Sequence, residues 1–117
     1  MIAYLSGPIE NAHNDGADWR NDITQWLEQD LNHRVFNPVT ETQSITKELN
    51  TDDFRLMKTT NPEQYKNIIR KIIKVDLDAV VKGSDYLIVN WDESVFKGGG
   101  THGEITMAYW FKKPVYM

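Results

Sequence analysis

At 117 residues with a formal net charge of −4 and no cysteine, the chain is expected to form one domain around a single core, without disulfides, thiolate nucleophiles or cysteine metal sites. Its 13 basic residues are scattered, apart from Lys66, Arg70, Lys71 and Lys74 along one solvated helix side, so a nucleic-acid polymer is not expected as partner. No apolar run approaches the roughly 20 residues of a membrane span, and the N-terminus leads into a strand-like segment without a basic head, which predicts a cytoplasmic protein that does not engage a membrane.

In chain order, Ile2 to Leu5 reads as a buried strand that ends abruptly at Ser6-Gly7-Pro8. Asp15 to Asp30 carries Trp19, Ile23, Trp26 and Leu27 at i, i+4, i+7 and i+8, the spacing of an amphipathic helix. Arg34 to Asn37 is a second short strand, closed by Pro38. Val39 to Thr60 is polar and weakly periodic, and is expected to be a loop with helical turns or a flap near the site. Asn61-Pro62 looks like an N-cap followed by proline at the first helical position, opening a helix that runs to about Lys82. Tyr86 to Trp91 is the third strand, apolar enough to be central. Asp92 to Gly100 is a loop, Thr101 to Lys112 a helix, and Pro114 to Met117 a fourth strand. This alternation predicts an α/β fold with a single open, mostly parallel sheet of order 2-1-3-4, Rossmann-like or flavodoxin-like.

Two carboxylates stand out. Glu104 follows the glycine run Gly98-Gly99-Gly100 and falls in the first turn of the predicted last helix. A carboxylate at a helix N-terminus tends to stay ionised, and glycines let a ligand approach the backbone, so Glu104 is a candidate nucleophile. The alternative is a capping box, Thr101-x-x-Glu104, in which the two side chains satisfy orphan backbone donors. The glycine run, with Gly103 inside the helix start, exceeds what capping requires and weakens the helix. Asp76 lies four residues after Ile72 and four before Val80 on the apolar stripe of the long helix, where an acid is costly unless paired or used. Asp78 points to the far side. Alternatively, the helix breaks near Val75 and Asp76 caps a new one.

Topology selects the same region. Ligands of open parallel sheets bind beyond the strand C-termini at the switch point, here between the first and third strands. The loops meeting there are Ser6-Gly7-Pro8-Ile9 and Asn90 through Glu104, which contain Trp91, Asp92, Gly98, Gly99, Gly100, Thr101 and His102. Trp91 ends the third strand beside this region and is expected to stack on the ligand, whereas Trp19, Trp26 and Trp110 are expected in the core or at an interface. His13, His33 and His102 are dispersed, so no metal is assigned, and no cofactor is expected.

Four segments in order resemble the nucleoside 2-deoxyribosyltransferase superfamily, which includes deoxynucleoside 5'-monophosphate N-glycosidases: Tyr4-Leu-Ser-Gly-Pro8, Val35-Phe-Asn-Pro38, Asp76-Leu77 followed by Ser84-Asp85, and Gly100-Thr-His-Gly-Glu-Ile105. The resemblance implies that Glu104 attacks the anomeric carbon of a 2'-deoxyribonucleoside, that Asp76 orients it or handles protons, and that Tyr4 and Gly7 shape the sugar pocket. The family's carboxylate or serine shortly before the nucleophile has no obvious counterpart, and Asp92 and Glu93 stand nearest. Ser6, the glycine loop and the helix N-terminus would bind either a 5'-phosphate or a sugar hydroxyl. Transfer between nucleobases therefore stands beside hydrolysis of a deoxynucleoside monophosphate. Two further readings are a phosphoribohydrolase, which the Gly-Gly-Gly-Thr-x-x-Glu run loosely resembles, and a non-catalytic nucleotide-binding module. A small sheet with open edges also predicts a homo-oligomer.

Overall fold

In strand β1 (Ile2–Ser6), Ala3 and Leu5 alternate with Tyr4 and Ser6, and the period of two sends these pairs to opposite faces of the sheet. A computed structural model describes residues 1–10, 12–49 and 54–117. β1 pairs in parallel with β2 (Arg34–Phe36) on one side and β3 (Tyr86–Val89) on the other, and β4 (Val115–Tyr116) extends the sheet beyond β3. The result is the expected α/β architecture, with four strands in the order 2-1-3-4 and parallel throughout. As the central strand, β1 is closed off by neighbours, and Ala3, Tyr4, Leu5 and Ser6 have no solvent exposure.

Helices cover both faces. Ala3 and Leu5 pack with Leu27 of α1 (Ala17–Asp30), while Tyr4 packs with Val80 and with Ala108 of the last helix. A third cluster joins Ile45 to Phe54, Ile68 and Ile72. It lies off the sheet and builds a wall of the cavity described below.

The stretch expected to be a loop with helical turns or a flap is mostly helical in its described residues. Helix α2 (Pro38–Glu48) starts at Asn37, whose side chain accepts a hydrogen bond from the Val39 N–H at 3.0 Å. Pro38 therefore opens a helix as well as ending the strand, and Asn37-Pro38 repeats the start signal of Asn61-Pro62. A 3₁₀ turn, Phe54–Leu56, and the short helix α3 (Met57–Thr60) follow, while residues 50–53 of this stretch lie outside the described residues.

Helix α4 (Pro62–Asp78) begins as expected, with the Asn61 side chain accepting from Gln64 N–H. It continues without a break at Val75 into a π-helical turn, Ala79–Gly83, so Asp76 caps nothing. α1 begins at Ala17, two residues after the expected start, because Asn14, Asp15 and Gly16 hold left-handed φ angles of 50°, 52° and 69°. β3 ends at Val89 rather than Trp91, and a 3₁₀ turn, Glu93–Lys97, occupies the expected loop. The last helix, α5 (Gly100–Trp110), starts one residue early, and a left-handed Lys112 follows it. Of the tryptophans expected in a core or interface, Trp26 and Trp110 lie on the surface. Among the described residues, no helix is long and apolar enough to cross a membrane.

Candidate active site

Helical spacing carries Glu104 inward, between two small buried residues. Thr101, Glu104 and Ala108 follow one another at i+3 and i+4 and form the buried stripe of α5. Glu104 meets the C-terminal end of β1 there, where Tyr4 and Ser6 project from the same face. The Tyr4 hydroxyl donates to Glu104 Oε2, and the Ser6 hydroxyl donates to Oε1 at 2.7 Å. Both carboxylate oxygens are thus held by hydroxyls from one strand.

The capping box does not form. The cap of α5 is Gly99, no side chain closes the end, and Thr101 is already the second helical residue. Because Gly99 and Gly100 start the helix before Thr101, Glu104 lies beyond the capping position and uses the β1 hydroxyls instead. Crowding does not demand these glycines either. A Cβ added at Gly99, Gly100 or Gly103 would meet no atom within 4 Å, and none of the three holds a positive φ. Gly7 differs, since an added Cβ would sit 3.0 Å from Trp19 Cζ2 and 3.2 Å from the Asn90 carbonyl oxygen.

Asp76 reaches the same place from α4. It continues the stripe of Ile69, Ile72 and Ile73 into the cavity wall, and its buried Oδ1 has no hydrogen-bond partner among the described residues. Asp78 points outward and is paired with Lys74 at 2.8 Å. The choice between these acids follows from helix phase: two residues along α4 turn the side chain to the other side.

The two acids sit in different electrostatic settings. Burial, then the negative charges of Glu104 and Glu41, push Asp76 from its ordinary 3.8 up to about 8, against the opposing pull of Arg20. Burial also raises Glu104, but the hydrogen bonds from Tyr4 and Ser6 and the Arg20 charge favour its ionised form. Tyr4 is raised well above 10 by burial and by Glu104, so it stays a hydroxyl donor at neutral pH. At that pH, Asp76 holds a proton and Glu104 has the partners that suit a carboxylate.

Between them lies a cavity of about 230 Å³. Of the residues singled out in the sequence, Gly7, Pro8, Ile9, Asp76, Gly98, Gly99, Gly100, Thr101 and Glu104 line it together. Tyr4 and Ser6 stand behind the wall, where they hold Glu104. Trp91, Asp92 and His102 are exposed and off the cavity wall. The Trp91 ring packs edge-on against Phe96 at 6.1 Å and His102 at 5.1 Å. Asp92 caps the following 3₁₀ turn by accepting from Ser94 N–H at 2.8 Å. Their displacement follows from β3 ending at Val89, after which the 93–97 turn folds Phe96 back onto Trp91.

The remaining wall comes from residues the sequence did not single out. Phe54 and Tyr65 stack at 6.4 Å, and Arg55 is held by Asp15 at 3.2 Å. Arg20 is fully buried beside the site. Its signal was present, because Arg20, Ile23 and Leu27 share one face of α1 at i, i+3 and i+7. An arginine on an apolar stripe is as informative as an aspartate there. Among the described residues, no three His, Asp or Glu side chains gather as a metal site would need. In comparisons with known proteins, the chain matches no family model, no curated protein and no solved structure.

Proposed function

We propose that the protein cleaves the N-glycosidic bond of 2'-deoxyribonucleosides through a covalent deoxyribosyl-Glu104 intermediate and transfers the sugar to another nucleobase. The observation that carries this reading is the pair of unlike carboxyls on one small cavity: Glu104 is fixed by two hydroxyls, and Asp76 is half-buried, with its Oδ1 lacking a hydrogen-bond partner among the described residues and its pKa pushed up to about 8. Pairs of carboxyls with separated ionisation are what nucleophile and general acid require.

In the first displacement, a Glu104 oxygen bonds to the anomeric carbon as the C–N bond breaks. The bonding pair leaves with the base, which takes the Asp76 proton. In the second, the acceptor base attacks the same carbon, the Glu104 ester bond breaks, and Asp76 recovers a proton from the attacking nitrogen. Two displacements through oxocarbenium-like transition states retain configuration. The cavity is smaller than the ~300–1,000 Å³ of drug-sized sites, in keeping with a small metabolite. The Ser6 hydroxyl is engaged by Glu104 and stands behind the cavity wall, so it does not serve as a donor to a 5'-phosphate.

A second reading, hydrolysis of a 2'-deoxynucleoside 5'-monophosphate, is favoured by Arg55 on the cavity wall with the glycine loop. Chromatographic detection of free base separates the readings. Wild type and Glu104→Ala are incubated with deoxynucleosides and their 5'-monophosphates, with and without a second base. Release by wild type alone, dependent on the second base, supports transfer. Release that requires the phosphate and proceeds in water supports hydrolysis. Ligand-dependent stabilisation without release makes the site a binding module.

The same proposal places the enzyme in the cytoplasm and in a homo-oligomer. Tyr109 and Trp110 at the end of α5 are 80% and 75% exposed, a surface suited to a second copy. Light scattering on wild type and Trp110→Glu tests it, with a loss of mass to the monomer expected for the variant.

A further inference from the structure

Arg20 is a fully buried cation whose hydrogen bonds all go to main-chain carbonyls among the described residues. Its Nη1 donates to Gly16 at 2.9 Å and Pro8 at 3.4 Å, its Nη2 to Gly7 at 2.9 Å, and its Nε to Leu5 at 3.4 Å. The loop is shaped around this seat. Gly16 takes a left-handed φ of 69°, and a Cβ there would lie 2.5 Å from Arg20 Nη1 and 2.5 Å from the Pro8 carbonyl oxygen. The Trp19 ring packs 4.8 Å from the guanidinium carbon.

Carbonyl dipoles solvate a cation without neutralising it, and a buried net charge is costly. Among the described residues, the charged and titratable groups that line the cavity or act on its acids are Tyr4 from β1, Glu10 from the loop after it, Arg20 from α1, Glu41 from α2, Arg55 from the 3₁₀ turn 54–56, Tyr65 and Asp76 from α4, and Glu104 from α5. Among the described residues, Arg20 is the one cation whose charge acts on both acids, while Arg55 on the cavity wall is paired with Asp15. We infer that Arg20 is a positioning residue with two roles: its charge balances ionised Glu104, and its carbonyl bonds hold the Gly7-Pro8 wall of the cavity. With Asp76 protonated, the interior carries one positive and one negative charge. Losing the Arg20 cation favours protonation of Glu104 and disarms it near neutral pH. This inference rests on the proposed reaction for its effect on rate, but the charge balance exists without substrate.

Carboxyl ¹³C NMR titration of wild type, Arg20→Lys and Arg20→Gln tests it, read together with the pH profile of kcat/KM. Arg20→Gln is expected to raise the Glu104 midpoint by about one to three pH units, and Arg20→Lys to keep it near the wild-type value. The acidic limb of kcat/KM should move with Glu104 in Arg20→Gln and return in Arg20→Lys. Folded Arg20→Gln with an unmoved Glu104 midpoint overturns the inference and leaves Arg20 a loop staple. If Arg20→Gln does not fold, the Asp76→Asn, Glu104→Gln double variant decides instead. It strands the Arg20 cation and should have a lower denaturant midpoint than either single variant. A double variant at least as stable as both singles overturns the inference. Because the titration and denaturation need no substrate, absence of base release would count against the proposed reaction alone.

Discussion

Asp76→Asn should make the protein more stable, by an amount that grows with pH. An aspartate ordinarily ionises near 3.8, and burial beside Glu104 and Glu41 moves Asp76 to about 8. Between these values the folded chain holds a proton that the unfolded chain has lost, so stability falls as pH rises through this window. Some four pH units at ~1.4 kcal/mol each set an upper limit of roughly 5–6 kcal/mol. Asp76 lines a cavity, and water entering it lowers the penalty, so about 2–4 kcal/mol is the working figure. An asparagine mimics the protonated acid and never pays the ionisation cost. At ~4 °C per kcal/mol for a chain of this size, the variant should melt about 8–16 °C above wild type at pH 9. The gap should close towards pH 4, where both states of the wild type bind the proton. Differential scanning calorimetry of both proteins across pH 4–9 measures it. A difference independent of pH, or a destabilised variant at pH 9, would refute the assignment of Asp76 as a half-buried, proton-holding acid.

Three further substitutions probe the surroundings. Tyr4→Phe keeps the stacking on Phe36 at 5.3 Å but removes one donor from Glu104. A hydrogen bond to a charged group contributes ~1.5–3 kcal/mol, so the acidic limb of kcat/KM should rise by about one pH unit or more while the circular dichroism spectrum stays native. Gly99→Ala has open space for its Cβ and an ordinary φ of −105°. Its melting temperature should hold or increase slightly while base release falls by at least ~10-fold, since the added methyl intrudes where the ligand approaches the backbone. Gly7→Ala, by contrast, presses on the Asn90 carbonyl and the Trp19 ring and should lower unfolding free energy by about 1–3 kcal/mol in urea titration.

The parts of this molecule that were legible in its sequence are those set by local period. The alternation of apolar strands with amphipathic helices gives the sheet order, and the 3.6-residue repeat separates inward Asp76 from outward Asp78. Glu104 stands out in the sequence because an acid follows more glycine than a helix start needs. A residue type that serves two ends reads ambiguously: Pro38 ends a strand and also begins α2. What depends on distant packing was not visible. Phe54, Arg55 and Tyr65 join the cavity only when the segment 54–60 folds onto α4. Trp91 leaves the expected site because Phe96 turns back on it. Ser6 was expected to meet the ligand, but the pleat that brings Tyr4 to Glu104 brings Ser6 there as well. Arg20, by its phase with Ile23 and Leu27 on α1, carries the same signal as Asp76.

The proposed covalent role of Glu104 is tested most directly by the stereochemistry of the proposed transfer. A β-deoxynucleoside is incubated with wild type and a second free base, and the anomeric configuration of the new nucleoside is read by proton NMR. Two displacements at one carbon predict a β product that Glu104→Gln does not form. An α product, or a β product formed equally well by Glu104→Gln, would contradict a deoxyribosyl-Glu104 intermediate.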